Sequence, residues 1–160
     1  MNVYENIENL GITLPPAPKC VGLYSLYSEF GNDLIYTSGF GPNEDGQKEY
    51  FGRLGQEFDV EEGKLIARQT AINLLGLLEA VTGDLNRVKR IVKLLVFINS
   101  DAAFVRQPDV ANGASALFID VFGEEIGRSA RSAIGVAVLP DNIPIEIEMV
   151  VELKNSGTEG

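Results

Sequence analysis

Two arginines in the last third of the chain are the first candidates for chemistry. Arg128 and Arg131 flank a Ser-Ala pair where the loop after a predicted helix enters a predicted strand. Loop-to-strand junctions are frequent pocket sites. An arginine there either forms an ordinary surface ion pair or holds a substrate carboxylate through two parallel hydrogen bonds from its planar guanidinium. The residue types alone leave both interpretations open.

Two glutamates form a second candidate group. Glu146 and Glu148 alternate with apolar residues along a predicted strand, so both side chains project to the same side. Partial burial raises the pKa of a carboxyl group, which suits it to proton transfer. Alternating glutamates are also typical of a solvated sheet face, and no feature indicates the sugar groove that a glycosidase pair requires. Spacing by itself favours the solvated face.

Several kinds of site are excluded by residue type. The sequence contains no histidine, so histidine triads, histidine general bases and the usual histidine-containing zinc sites cannot form. Cys20 has no partner for an intramolecular disulfide and no histidine to activate it, so we interpret it as a structural or incidental thiol rather than a nucleophile. The glycine-rich stretch 39–46 carries acidic residues and precedes no helix, which favours a turn over a phosphate loop. We predict no metal and no cofactor.

Composition indicates one globular α/β domain that acts on a small molecule. The 160 residues are 45% apolar and 22% charged, with a formal net charge of -10. That charge disfavours nucleic acid as a partner, because such binding depends on Lys and Arg displacing phosphate counterions. The first residues lack the basic and apolar regions of a signal peptide, and no apolar run approaches membrane-spanning length. We therefore expect a cytoplasmic protein without membrane association.

Hydrophobic spacing and turn residues predict the elements that must position these groups. The first part contains a helix over 3–10, a proline-rich connection, a hairpin of strands 21–27 and 34–38, and a short strand at 56–58. A helix follows that begins with a capping box of Asp59 and Glu62 and ends at Gly83, and then a buried strand, 88–98, in the middle of the sheet. The last part contains a helix from Pro108 to Gly123 and a hairpin of strands 132–139 and 145–153.

This order predicts a mixed sheet with both long helices on one face. Val150 and other strand residues are apolar on the side that the helices leave open, so we predict a homo-oligomer that buries this second face. The chain divides into an amino-terminal helix and proline-rich extension (1–19), a main domain (20–154) and a disordered tail (155–160).

Several separated segments form a combination that is typical of one protein family. They are Gly22-Leu23-Tyr24-Ser25, Ile35-Tyr36-Thr37-Ser38-Gly39, residues 92–98, Asn112, Ala130-Arg131-Ser132, and Leu139-Pro140 followed by residues 145–148. Together they resemble the YjgF/Rid family of reactive-intermediate deaminases, also known as L-PSP endoribonuclease-like proteins. The length, the amino-terminal extension and residues 122–133 resemble the longer YjgF-like subgroup. The resemblance implies a chorismate-mutase-like α+β fold of the bacillus type and a homotrimer with pockets between subunits.

The resemblance also implies a set of site residues. Arg131 matches the family arginine that binds a substrate carboxylate, and Glu146 matches the acidic residue that handles protons or water. Two positions depart from the deaminating members, since Ala133 replaces a common cysteine and Leu23 replaces a proline. The positions that match the substrate pocket are Tyr24, Ser38, Gly39, Asn112 and Ala133.

The implied activity is hydrolysis of a reactive 2-imino or enamino acid to a 2-keto acid and ammonia, which would make the protein a hydrolase. Two alternatives stay open. One is a non-catalytic trimer that binds small carboxylates and acts as a regulator. The other is an endoribonuclease, as the family's second name suggests, although the lack of histidine and the charge of -10 disfavour it.

Overall fold

The computed structural model describes residues 2–44 and 49–155. The predicted tail, apart from Asn155, and residues 45–48 of the glycine-rich stretch lie outside the described residues. The helices are α1 (Val3–Asn9), α2 (Val60–Thr82), α3 (Gln107–Phe122) and α4 (Glu124–Gly127), and the strands are β1 (Tyr27–Phe30), β2 (Leu34–Thr37), β3 (Val88–Asn99), β4 (Ala130–Val136) and β5 (Ile145–Leu153), with short 3₁₀ helices at Leu85–Arg87 and Pro140–Asn142.

The strands form one mixed sheet in the order β1-β2-β5-β3-β4. β4 runs parallel to β3, and every other neighbouring pair is antiparallel. The parallel pair is connected through α3, which supplies the crossover that parallel strands need. The predicted α+β fold with a mixed sheet is therefore confirmed.

The predicted carboxyl-terminal hairpin is wrong. β4 and β5 do not pair, because they lie on opposite sides of β3. The crossover through α3 brings β4 to one edge of β3, and the Pro140–Asn142 turn then carries the chain to the other edge, where β5 pairs with both β3 and β2. The middle strand is consequently β5, and the predicted middle strand, β3, lies next to it.

Both long helices pack on one face of the sheet, as predicted. The apolar side chains of β3 and β5 alternate, and those on the helix side join α2 and α3 in a single buried core. Close approach of the two helices depends on Gly113, where a Cβ atom would lie 2.0 Å from the carbonyl oxygen of Lys64. Core side chains that the two layers share include Leu74, Phe118, Leu94, Val96, Ile147 and Met149.

The strand predicted over residues 21–27 has the wrong bounds. β1 begins only at Tyr27 and pairs with β2, and one further hydrogen bond joins the amide of Ser38 to the carbonyl of Leu26. Val21 and Leu23 are fully exposed in the chain, with relative accessibilities of 91% and 109%. Their alternation is typical of a strand, but no neighbouring strand of the sheet reaches them.

Two smaller elements also differ from prediction. Residues 56–58 form no strand, and only isolated bridges join Leu54 to Phe58 and to Ser100. The sequence did not predict α4, a helix of four residues that follows Gly123 and leads into β4. Such short elements carry no hydrophobic period, so pattern analysis has nothing to detect.

The amino-terminal extension packs against the helices. The hydroxyl of Tyr4 donates to Oε2 of Glu79 at 2.7 Å and accepts from the amide of Leu85 at 2.9 Å. Burial, with the hydrogen bond to Glu79, raises the pKa of Tyr4 to about 12. Farther along, the carbonyl of Pro15 lies so close to Gly76 that a Cβ atom there would stand 2.2 Å from it. The extension therefore lies directly on α2.

The other face of the sheet carries no helix among the described residues. Tyr36 and Ile134 are each 43% exposed there, and Leu95, Phe97 and Val150 are half-buried. This is the uncovered face from which the sequence predicts self-association, which stays a prediction. None of the described helices is both long and apolar enough to cross a membrane.

Candidate functional site

Arg131 is held in a fixed orientation against α3. It lies on β4 and faces the helix side, where Nη1 donates to Oδ1 of Asn112 at 2.8 Å and to Oγ of Ser115 at 3.0 Å. Nη2 donates to the carbonyl of Pro108 at 3.3 Å. Of the five guanidinium N–H groups, Nε–H and one Nη2–H have no partner among the described residues. This arrangement leaves donors on a fixed arginine that an incoming carboxylate can engage.

Arg131 borders a cleft between α3 and the start of β4. The cleft has a volume of about 500 Å³, within the roughly 300–1,000 Å³ of small-molecule sites. Among the described residues, two arginines and no carboxylate line it, so the cleft favours an anion although the whole chain is acidic. The lining residues are Asn112, Ser115, Ala116, Ile119, Arg128, Ser129 and Arg131.

Two polar residues of this cleft were not predicted, and one predicted residue lies beside it. Ser115 follows Asn112 by three residues, so both lie on the same side of α3; that spacing could have identified Ser115 once Asn112 was chosen. Ser129 could have been found through its position between the two arginines. Ala133 lies two residues beyond Arg131 on the same side of β4, packs against the core and does not line the cleft.

Glu146 lies on the opposite face of the sheet. It pairs with Phe97 of β3, and its half-buried side chain covers the backbone of Gly39. A Cβ atom at residue 39 would stand 2.0 Å from Oε1 of Glu146, so only glycine leaves room for this carboxyl group. Burial, followed by repulsion from Glu148, raises the pKa of Glu146. A carboxyl group with a raised pKa is a stronger base than an exposed one, which suits it to proton transfer.

Ser38 connects Gly39 to the exposed loop that carries Tyr24. Its hydroxyl donates to the carbonyl of Ser25 at 2.5 Å, which fixes the loop to the end of β2. Tyr24 itself is 54% exposed, and its carbonyl accepts a hydrogen bond from Sγ of Cys20 at 2.6 Å. Tyr24, Ser38, Gly39 and Glu146 therefore belong to one end of the sheet.

Glu148 has a partner on the same open face. The hydroxyl of Tyr36 donates to its Oε2 at 2.9 Å, and this hydrogen bond raises the pKa of Tyr36. Glu148 is thus anchored as an acceptor while Glu146, two residues away, has no hydrogen-bond partner among the described residues. The two glutamates that look alike in the sequence occupy different environments.

The register places Arg131 and Glu146 on different faces of the sheet. Leu94 pairs with Arg131 on one side and with Met149 on the other, and both apolar residues are buried beneath the helices. Glu146 differs from Met149 by an odd number of positions, so it projects the other way. One chain therefore separates the Arg131 group from the Glu146 group.

No metal site accompanies either group in the described ranges. No set of three or more His, Cys, Asp or Glu side chains converges there. The acidic stretch after Gly41 lies in part outside the described residues, so the turn interpretation of residues 39–46 stays a prediction.

Comparison with known proteins identifies the family. A family model described as "YjgF/chorismate_mutase-like, putative endoribonuclease" matches residues 5–153. Protein TCP17 of Trypanosoma cruzi is 45% identical over 153 residues, which cover 96% of this chain and 95% of that protein. The crystal structure of Atu1372 from Agrobacterium tumefaciens, a protein of unknown function, has 38% identity and a TM-score of 0.85, with 95% of this chain and 92% of that chain covered.

A relative with a named activity is more distant. The 2-iminobutanoate/2-iminopropanoate deaminase of Dermatophagoides farinae is 28% identical over 143 residues, which cover 89% of this chain and 95% of that enzyme. The mixed sheet with its two long helices agrees with these matches in topology. The resemblance seen in the sequence is confirmed: the chain belongs to the YjgF/Rid family.

Proposed function

We propose that this protein hydrolyses reactive 2-imino acids, or the enamines from which they form, to 2-keto acids and ammonia. The observation that carries the proposal is the guanidinium of Arg131, which three acceptors on α3 orient at the edge of an anion-favouring cleft. Such a fork matches the carboxylate that every 2-imino acid carries. The activity of the deaminase relative at 28% identity supports the same reaction.

Arg131 would act by binding and orientation. Its fixed contacts with Asn112 and Ser115 mean that little side-chain freedom is lost when a carboxylate binds. Two parallel hydrogen bonds fix both the position and the plane of that carboxylate. The neighbouring imine carbon then has one orientation relative to the water that attacks it.

Glu146 would move the protons. Water adds to the imine carbon and gives one proton to the nitrogen; the remaining hydroxyl proton then passes to the nitrogen as the C–N bond breaks, which leaves a carbonyl oxygen on carbon and releases ammonia. One water is consumed for each imine, with no oxidant or reductant. A carboxyl group with its pKa raised by burial can take the proton from water and deliver it to nitrogen.

A complete site would require two copies of the chain. Arg131 and Glu146 lie on opposite faces, so we propose that the Glu146 group of one subunit meets the Arg131 cleft of its neighbour in a homotrimer. Burial of the open sheet face and of Val21 and Leu23 would stabilise this assembly, because these apolar side chains are exposed in the single chain.

The test is release of keto acid and ammonia from 2-iminobutanoate generated in the assay, with native protein, Arg131→Ala and Arg131→Lys. We expect kcat/KM to fall by at least about tenfold in Arg131→Ala, because charge-assisted hydrogen bonds contribute about 1.5–3 kcal/mol each. Arg131→Lys should recover part of the loss, since it restores the charge without the fork. Arg106→Ala, which removes an exposed Arg106–Asp109 pair outside the cleft, is the matched control.

Equal rates for native protein, all variants and the uncatalysed reaction would refute the deaminase proposal. A second function then gains support, that of a non-catalytic carboxylate-binding or regulatory protein, because the Arg131 cleft exists within one chain and does not need Glu146. Saturable binding of 2-oxobutanoate that Arg131→Ala abolishes, without turnover, would establish this alternative. RNA cleavage has no comparable support, given the charge of -10.

A further inference from the structure

Arg128 is a second cation in the same cleft as Arg131. Arg128 follows α4 directly, Arg131 lies three residues later within β4, and both line the cleft. A substrate with one carboxylate needs only one of them. The uncharged remainder of the lining includes Asn112, Ser115 and Ser129, which can hydrogen-bond to further oxygens.

The contact of Arg128 with Glu124 does not use all of the hydrogen-bond donors that Arg128 brings to the cleft. Nε and Nη2 of Arg128 both contact the same oxygen, Oε1 of Glu124, and Nη1 has no partner among the described residues. The side chains of the pair are 69% and 61% exposed, and exposed pairs of this spacing contribute little to stability. A ligand carboxylate in the cleft can therefore bind Nη1, or displace Glu124, at little cost.

The charge distribution favours a ligand with two anionic groups. Among the described residues no Asp or Glu lines the cleft, and the nearby carboxylate of Glu124 is already paired with Arg128. The chain as a whole carries a charge of -10, which repels a dianion until the two arginines are near. Placing two cations in one cleft is the arrangement that overcomes this repulsion.

We propose that the preferred substrates are dicarboxylic 2-imino acids, the imines of acidic amino acids, with the 1-carboxylate on Arg131 and the distal carboxylate on Arg128. This assignment rests on the proposed deaminase function for the reaction and on the paired arginines for the substrate class. Reactions that oxidise acidic amino acids at the amine carbon would supply such imines.

Binding of the stable keto-acid products tests the substrate class separately from turnover. Calorimetry on the full-length protein would compare 2-oxoglutarate with 2-oxopentanoate, which has the same chain length without the distal carboxylate. We expect 2-oxoglutarate to bind at least about tenfold more tightly, the effect of one charge-assisted contact. Arg128→Gln should weaken 2-oxoglutarate binding at least about tenfold more than 2-oxopentanoate binding and so remove the preference, whereas Arg106→Gln should preserve it.

Two results would overturn the inference. One is equal affinity of the native protein for both acids. The other is an equal loss of affinity for both acids in Arg128→Gln, which would indicate a structural role for Arg128. Turnover of 2-iminobutanoate is measured in the same experiments. If the protein hydrolyses this imine but binds both keto acids equally, the deaminase function stands and the substrate class is refuted. If the protein prefers 2-oxoglutarate but hydrolyses no imino acid, the deaminase function alone is refuted.

Discussion

Gly39 and Glu146 fit together so closely that the carboxyl group occupies the space where any other residue would place its Cβ atom. A Cβ at residue 39 would lie 2.0 Å from Oε1 and 2.7 Å from Cγ of Glu146. The conflict is with a flexible side chain rather than with backbone, so the fold can tolerate it by moving Glu146. The position of that carboxyl group, and not the sheet, depends on Gly39.

We therefore expect Gly39→Ala to reduce kcat for imine hydrolysis by at least about tenfold, because general acid–base catalysis requires the group within hydrogen-bond reach of the proton. The melting temperature should change little. The mechanism is tested by combining Gly39→Ala with Glu146→Asp, whose shorter side chain keeps a carboxyl group: if the alanine acts through Glu146, the double variant is no slower than Glu146→Asp alone. Additive losses would show that Gly39 acts in another way.

Ser115 provides a test of how Arg131 is oriented. Ser115→Ala removes one of two acceptors for Nη1 and leaves the Asn112 contact in place. We expect KM to rise about three- to tenfold with kcat nearly unchanged, since a poorly oriented fork weakens substrate and transition state alike. Steady-state kinetics separates the two constants. A fall in kcat with KM unchanged would contradict an orienting role.

Local and non-local features of this chain differ in how well the sequence predicts them. The capping box of α2 is present with both of its hydrogen bonds, between Asp59 and Glu62, at 2.9 Å each. Its partners are three residues apart, so the sequence contains the whole interaction. Strand pairing, in contrast, depends on residues far apart in the sequence. β4 and β5 both have clear strand patterns, but only the crossover through α3 determines that β3 lies between them.

The candidate site shows the same division. Motif resemblance selected Arg131 and Glu146 without revealing that they face opposite sides of the sheet, which depends on the register of β3 with both neighbours. Asn112 was selected by motif, but its hydrogen bond to Arg131 joins residues 19 positions apart and required the fold. Side-chain periodicity describes one helix or strand at a time, whereas the residues of this site come from three elements, α3, β4 and β5.

The buried state of Glu146 leads to a prediction about stability and pH. Its folded-state pKa is raised by burial and by Glu148, so the native protein binds this proton more strongly than the unfolded chain does. Stability from this group is present below the ordinary carboxyl pKa of about 4.3 and is lost as the pH rises through the folded-state value. At pH 7 the native protein bears the cost of a half-buried charge.

Glu146→Gln should therefore raise the melting temperature at pH 7, and the gain should vanish near pH 4 as the native carboxyl group becomes neutral. The measurement is a set of thermal unfolding curves between these pH values. Glu8→Gln, on the exposed side of α1, is the control and should show no such dependence. A gain in Glu146→Gln that is the same at both pH values would contradict the electrostatic explanation. The same substitution abolishes activity in the proposed mechanism, so stability and function would change in opposite directions.

Mixed oligomers test the proposal that each site takes residues from two subunits. Arg131→Ala and Glu146→Gln each remove one half of the site, so either variant alone should be inactive. In hybrids assembled at random from equal amounts of both, about a quarter of the subunit contacts pair an intact Arg131 with an intact Glu146 from the neighbour. Imine hydrolysis should return to about that fraction of the native rate after the two proteins are unfolded, mixed and refolded.

The separation of Arg131 and Glu146 on opposite faces makes recovery in the hybrids specific to a shared site. If both residues of a site came from one chain, no hybrid would contain an intact site and mixing would restore nothing. Separately refolded variants, combined only after refolding, control for residual activity and should stay inactive as long as subunits do not exchange. Recovery only when the subunits are refolded together would therefore establish that neighbouring chains complete one another's sites.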